Sequence, residues 1–559
     1  LGEASQSRPT VNGILFDAVS GSDTLTDAVV RDNTIRDLRS DYAPLGIVLQ
    51  QQLTNVTVAD NTLADIVASH DVDSNPDDDA QGEFTTFAQA INVAASSTTD
   101  VQITGNLVAR SIRSRDGYYG EAIKIDGSDV SGLSINQNDL LAPFAITNTA
   151  SGTVDATENF FNSPNGPNTS TQQSSDPDND ERPSAASVVL GPADTSQFRM
   201  EPINGVLVSK NLDGRPGFLE PRDALTGNNP KNGATDVNPG EIVFVESGTY
   251  SGGGSFGSTP GLQIGSPDAG TDPASAPRAN VRVLGQESTN SNARPTIDGW
   301  VQILDPGVTF DGFTVKQEVF NYGLAAFEPG VTIRNVTVDG VTNGLFIPSV
   351  EDVLVERCTV ENYSFYGGLI SGQNEFGGAT PTVRDTTFDG ASGGGAVGIG
   401  VVQTDAEIRA STVSGNEVTN EDGAGIAHFS GAGVVMQENR IESNDDGIFL
   451  AGPDAATVAA TSNDIVNNLV GVANEASSGA LPVDATGNWW GSPNGPGANA
   501  SSNTTGTHGP VDADPWSTEA GPDWNRDETP GFSTSSVETN EPDGEWQGPM
   551  PPSRPDSVE

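Results

Sequence analysis

Carboxylates that fall side by side are the first candidates for chemistry, because two acids in different surroundings can divide proton donation and proton acceptance between them. Asp445-Asp446 in SNDDGIFL is such a pair, and His428 in GIAHFSG precedes it. Aligning Gly425-Ile426 with Gly447-Ile448, however, sets His428 beside Leu450 and away from the aspartates. Asp followed by Gly also suits an ordinary turn leading into a strand. Lys124 in EAIKIDGSD has Glu121 and Asp126 nearby, and strand alternation turns Lys124 and Asp126 to one side. Such a trio reads either as a functional cation or as a solvated ion pair. The segment ARSIRSRDGYYGE gathers Arg110, Arg113, Arg115, Tyr118 and Tyr119, a combination suited to contact with sugars and anionic glycans. In HDVDSNPDDDAQGE the side chains of Asp71, Asp73, Asp77, Asp78 and Asp79 supply the oxygen ligands that calcium prefers. Pro76 and the lack of a correctly placed Glu depart from the usual calcium loop, so a solvated acidic loop is the rival reading. Cys358, the single cysteine, excludes an intrachain disulfide and is expected to be a buried, inert thiol.

The elements that carry these residues follow from an internal repeat. A six-residue pattern recurs as FDGFTV, IRNVTV, VERCTV, VRDTTF, IRASTV, MQENRI, ATSNDI and ATGNWW, starting at 310, 333, 355, 383, 408, 436, 460 and 485. The spacing averages about 25 residues, one rung of a coil. Between copies stands Gly followed by an aliphatic residue, as in Gly323-Leu324, Gly344-Leu345, Gly368-Leu369, Gly398-Ile399 and Gly425-Ile426. Each rung therefore holds at least two short strands, and no sustained helical periodicity competes with them. The first part of the chain repeats the element as VRDNTI, VADNTL, ITGNLV, INQNDL and ATENFF, with Asn33, Asn61, Asn106, Asn138 and Asn159 at the fourth place. Asn439, Asn463 and Asn488 continue it later. An amide both donates and accepts, so asparagines stacked about 4.8 Å apart form a ladder along the coil.

With these residues the chain resembles the right-handed parallel β-helix family, also described as pectin-lyase-like or PbH1-repeat proteins, over most of residues 1–516. The resemblance implies an all-β protein: three parallel sheets wound into a solenoid whose rungs cover one another and whose ends are capped. VDATENFFNSPNGP (154–167) returns as VDATGNWWGSPNGP (483–496), 329 residues on, and the two closures imply two tandem solenoids. The expected division is a first β-helix over 1–170 that lacks its opening rungs, a linker and irregular cap over 171–237, a second β-helix over 238–516 and a flexible acidic tail over 517–559. The aromatic pairs Phe160-Phe161 and Trp489-Trp490 are expected to cover the last rungs. Members of the family often act on acidic polysaccharides, as calcium-dependent lyases or as hydrolases with grouped aspartates. The sequence motifs of those hydrolases are missing around Asp445, Asp446 and His428, which leaves them weak candidates and the chain without an assigned catalytic set.

Composition bounds the partners. With 25 Lys+Arg against 76 Asp+Glu the net charge is −51, which excludes a nucleic-acid backbone binder. Such self-repulsion is relieved when molar salt shortens the screening length to about 3 Å. Acid-rich, lysine-poor chains resemble those of salt-loving archaea, and that source, or a virus of it, is the expectation. No apolar run reaches the length of a membrane span. A chain opening on Leu1 reads as processed, its targeting segment removed. The sequons at Asn55, Asn168, Asn335, Asn362, Asn499 and Asn503 fit an extracellular glycoprotein. The expected function is a structural or adhesive solenoid of a cell surface, filament or virion that binds a surface glycan or like subunits. No cofactor is required, and calcium is the cation that the acidic loop suits. The alternative is a secreted polysaccharide lyase or glycoside hydrolase.

Overall fold

The computed structural model describes residues 12–16, 24–36, 38–40, 44–64, 66–68, 88–108, 113–114, 120–142, 144–161, 167–170, 188–199, 202, 205–210, 212, 218–226, 230–231, 237–251, 261–265, 279–285, 293–316, 322–348, 350–372, 380–390, 396–417, 423–429, 433–451, 458–475, 482–497 and 507–521. Each six-residue motif is the end of one strand, a two-residue reversal whose first residue is left-handed, and the start of the next. In FDGFTV the strands are Thr309–Asp311 and Thr314–Lys316, and Gly312 between them has φ of +84°. The same place holds a left-handed residue on rung after rung: Asp32, Asp60, Gln137 and Glu158, then Asn335, Arg357, Asp385, Ala410, Glu438 and Ser462. Such a conformation costs a residue with a Cβ about 1–2 kcal/mol. Where the next residue is an asparagine, its amide offsets that cost. Asn106 donates from Nδ2 to Asn138 Oδ1 at 2.9 Å and to the Val58 carbonyl at 2.9 Å, while its own Oδ1 accepts from Asn61 Nδ2 at 2.9 Å. Asn33 through Asn159 form one such column, and Asn439, Asn463 and Asn488 another.

Among the described residues the second stack consists of three parallel sheets of 12, 9 and 10 strands, here termed leading, middle and trailing in the order a rung visits them. Its core is built from columns in register. Val283, Phe310, Ile333, Val355, Val383, Ile408 and Met436 face inward from the leading sheet. Val315, Val338, Val360, Phe388, Val413 and Ile441 face them from the middle sheet. A glycine column makes the bend into the trailing sheet, because a Cβ there would enter the core. On Gly323 it would come 2.4 Å from Val338 Cγ1, and on Gly398 2.3 Å from Val413 Cγ1. One rung departs from the expected Gly-aliphatic pairing. Gly368, not Leu369, is in register with Leu345 and Ile399, so Leu369 faces outward and Gly367 takes the bend.

The first stack is wound differently. Leu45–Ala59 and Ala88–Thr104 run as continuous strands of 15 and 17 residues across what would be a sheet corner, giving one 12-stranded sheet with companions of 4 and 3 strands. The division between stacks also shifts from the expected one. Val188–Leu190 and Ala193–Asp194 pair with Phe144–Asn148 and Val154–Asp155, which carries the first stack past residue 170. Gly205–Val208 already pairs with Ile242–Val245, which opens the second stack before residue 238. The expected linker 171–185 lies outside the described residues. Of each aromatic pair one ring is interior: Phe161 belongs to the first core and Trp490 to the second. Both stacks fall in one compact unit, Leu1–Asp527. Ser517 donates to the Asn488 carbonyl and Gly521 to Asp464 Oδ1, so the first residues of the expected tail bond to the last two rungs. The rest of the tail lies outside the described residues.

Candidate functional site

Outward positions of the trailing sheet alternate with the core columns, and their register runs Gln263, Gln302, Ala325, Phe346, Leu369, Gly400, Ala427, Phe449 and Ala473. Small residues in this column leave room for rings to lie flat across their neighbours. Tyr322 stacks on Phe346 with centroids 4.5 Å apart and planes inclined by 24°. Phe327 meets Phe346 edge-on at 5.9 Å, and Phe365 meets Tyr366 edge-on at 4.6 Å. A Cβ on Gly400 would stand 2.8 Å from Tyr366 Cε1, so glycine makes room for that ring. All five rings are half-buried. A cluster of partly exposed rings beside amides is the surface on which an apolar sugar face stacks while its hydroxyls find donors and acceptors. Burial raises the hydroxyls of Tyr322 and Tyr366 above the usual phenol range, keeping both protonated as donors. Desolvation, reinforced by Asp305, raises Glu328 beside Phe327.

The first stack presents a polar counterpart. On its large sheet Gln89, Glu121 and Phe144 lie in one row and Asn92, Lys124 and Thr147 in the next. Glu121 is 2% exposed. Its Oε2 accepts from Gln89 Nε2 at 2.8 Å, and its Oε1 lies 3.5 Å from Lys124 Nζ. Lys124 Nζ also lies 3.7 Å from Asp126 Oδ1, so the structure brings together the trio singled out in the sequence. Desolvation raises Glu121 above the usual carboxylate range, with Lys124 opposing it. In sequence, Asp71, Asp73, Asp77, Asp78 and Asp79 precede the strand Ala88–Thr104, and Arg115, Tyr118 and Tyr119 precede the strand Gly120–Ile125. Those residues and Arg110 lie outside the described residues, and of Arg113 only the backbone, paired with Val67, is described.

The remaining candidates are occupied structurally. His428 is fully buried in the inward column between Val401 and Leu450. Asp445 Oδ2 accepts from the Gly423 amide at 3.0 Å, holding the turn one rung earlier, and Asp446 is buried in register with Ala424. Cys358 stands in the ladder column, and burial pushes its thiol up to about 12. Among the sequons, Asn335 and Asn362 Nδ2 bond to Asp311 and Asp339 carboxylates at 2.9 and 2.7 Å, and Asn55 Nδ2 bonds to Asp27 at 2.6 Å. Of Asn168 only the backbone is described, and Asn499 and Asn503 lie outside the described residues. Among the described residues no group of three or more His, Cys, Asp or Glu side chains is placed to hold a metal ion.

Sequence reasoning missed the outer faces. Tyr322, Phe346, Tyr366, Phe327 and Phe365 fall at irregular sequence intervals, and only the fold shows that Tyr322 and Phe327 meet Phe346 and that Phe365 meets Tyr366. A second column, Asn416, Asn444 and Asn468, bonds amide to amide at 2.8 and 2.9 Å one strand beyond the first. Asp311, Arg334, Glu356 and Arg384 alternate in sign up the leading sheet, with Arg334 Nε 2.8 Å from Asp311 Oδ2 and Arg384 Nη2 2.5 Å from Glu356 Oε2.

A family model described as the right handed beta helix region matches residues 323–488. No curated protein and no solved structure matches the chain.

Proposed function

We propose that the chain is an extracellular structural and adhesive β-solenoid of a halophile, serving on a cell surface, filament or virion, and that it engages a glycan on the trailing-sheet face. The carrying observation is the set of half-buried rings around the Tyr322–Phe346 stack. Partly exposed aromatic patches mark interaction surfaces, and a stiff parallel sheet holds their spacing without further ordering cost. The acidic composition supports a setting of high salt.

The test is binding of immobilised acidic and neutral polysaccharides in molar salt. Phe346→Ala and Tyr366→Ala are expected to weaken retention about tenfold each, as loss of an anchoring ring does, with the circular dichroism unchanged. Retention by no glycan, or retention indifferent to both substitutions, overturns the reading.

A second reading rests on Glu121 and Lys124. A buried carboxyl raised above its ordinary range beside an ammonium is an acid–base arrangement usable on a glycosidic or uronic-acid substrate, which favours a lyase or hydrolase. Release of unsaturated or reducing sugars in molar salt with calcium, abolished by Glu121→Gln and untouched by Asp446→Ala, establishes that reading. Absence of release across the panel removes it.

A further inference from the structure

The outward column of the leading sheet changes character along its length. It runs Leu207, Phe244 and Leu284, and then Asp311, Arg334, Glu356 and Arg384. An outward sheet position is ordinarily wetted and polar, yet Leu207, Phe244 and Leu284 are 1%, 1% and 5% exposed. The first stack shows the complementary change. Its outward column runs Thr34, Thr62, Leu107 and Asp139, and Leu107 is buried together with Leu141 and Phe160 near the closing rung. These residues meet. Leu107, Leu141 and Phe160 form one apolar cluster with Leu207, Leu212, Ile242, Phe244 and Leu284, separate from the core of either stack. Phe160, the outward ring of the first aromatic pair, is fully buried there, whereas Trp489 at the equivalent place 329 residues on is half-buried.

We infer that this seam is a docking surface: the outer face of the first three leading-sheet strands receives the closing rungs of the first stack, and the two stacks hold together without their covalent connection. Domains joined by a linker move independently unless a large apolar interface fixes them, and here outward apolar residues occur on both partners where they face each other. The surface is thereby specific in position, because the charged column that follows Leu284 offers nothing to Leu107 or Phe160. The inference is independent of the glycan reading.

The test uses the full chain with a protease site inserted between Met200 and Glu201, after the last described residues that bond to the first stack and before Gly205 opens the second. After cleavage in molar salt, the halves are expected to elute as one species with the mass of the whole chain. Phe244→Asp, and separately Leu107→Asp, place a carboxylate in the seam without touching either core. Each is expected to weaken association about a hundredfold after cleavage, so that the halves separate at micromolar concentration. The uncut variants serve as the folding control, since each must retain the circular dichroism of the parent. Halves of the parent that separate on cleavage overturn the proposal, as do variants whose halves stay together as firmly as the parent's.

Discussion

Gly368 and Phe388 are a complementary pair: a Cβ on Gly368 would lie 3.2 Å from Phe388 Cε1, so the ring fills the space that an aliphatic side chain occupies on neighbouring rungs. The trailing column reads Leu324, Leu345, Gly368, Ile399 and Ile426, while the middle column reads Val338, Val360, Phe388, Val413 and Ile441. Gly368 and Phe388 stand on successive rungs, so one large residue and one absent side chain compensate across the rung boundary, as a close-packed interior demands.

Phe388→Val is therefore expected to open a cavity and cost about 2–4 kcal/mol, and Gly368→Leu to overpack the rung at about 1–3 kcal/mol. The double variant should be more stable than the sum of the two losses predicts, because each change makes room for the other. Urea denaturation of all four proteins in molar salt measures the coupling, and strict additivity would contradict the pairing.

Position along the amide column sets the cost of losing an amide. Asn106→Ala leaves the Asn61 amide groups without their acceptor and the Val58 carbonyl without a donor in a fully buried site. A loss of about 3 kcal/mol or more is expected. Asn33→Ala, on a half-buried rung, should cost about 1 kcal/mol. Equal losses at the two positions would show that the bonds do not depend on burial.

Glu121 gives stability a dependence on pH whose sign is fixed by its raised carboxyl. A group with a folded pKa above its unfolded value near 4.5 contributes fully below that value and loses the contribution as pH rises through the folded one. Stability should therefore fall over the range just above pH 4.5, and Glu121→Gln should flatten that fall. Lys124→Met should steepen it, because the cation that lowers the Glu121 carboxyl is removed. Melting curves collected from pH 4 to 7 at constant salt decide the matter.

Cys358 is buried, with its Sγ directed to the Glu356 carbonyl at 3.3 Å, and desolvation pushes the thiol up to about 12. A maleimide should fail to label it in the folded protein at neutral pH and should label it as denaturant unfolds the second stack. Rapid labelling of the native chain would place the thiol at the surface.

The coil was legible because its constraints repeat. An inward apolar residue and a left-handed turn residue recur at each rung, followed by an amide throughout the first stack and on the last three motif copies of the second, and Asn33 to Asn159 stand in one bonded column. His428 beside Leu450 likewise followed from alignment alone. Gly368 was misassigned because a glycine next to a leucine carries the same signature whichever of two adjacent residues bends the chain. The Asn416 column was hidden for a different reason: Val341 and Tyr363 hold its earlier places, and Tyr363 reaches Asn416 through its hydroxyl at 2.6 Å. The aromatic face and the apolar seam escaped entirely, since outward positions answer to partners and solvent rather than to the repeat.

The amides of the column all point one way, each Nδ2 giving to the Oδ1 of the following turn from Asn33 to Asn159. A turn that brings one donor and one acceptor closes its own account, so whole turns can be duplicated or deleted by recombination with no orphaned group left behind. Length is then a heritable variable adjustable in increments of about 4.8 Å, whereas a fragment of a turn would throw every later amide out of phase.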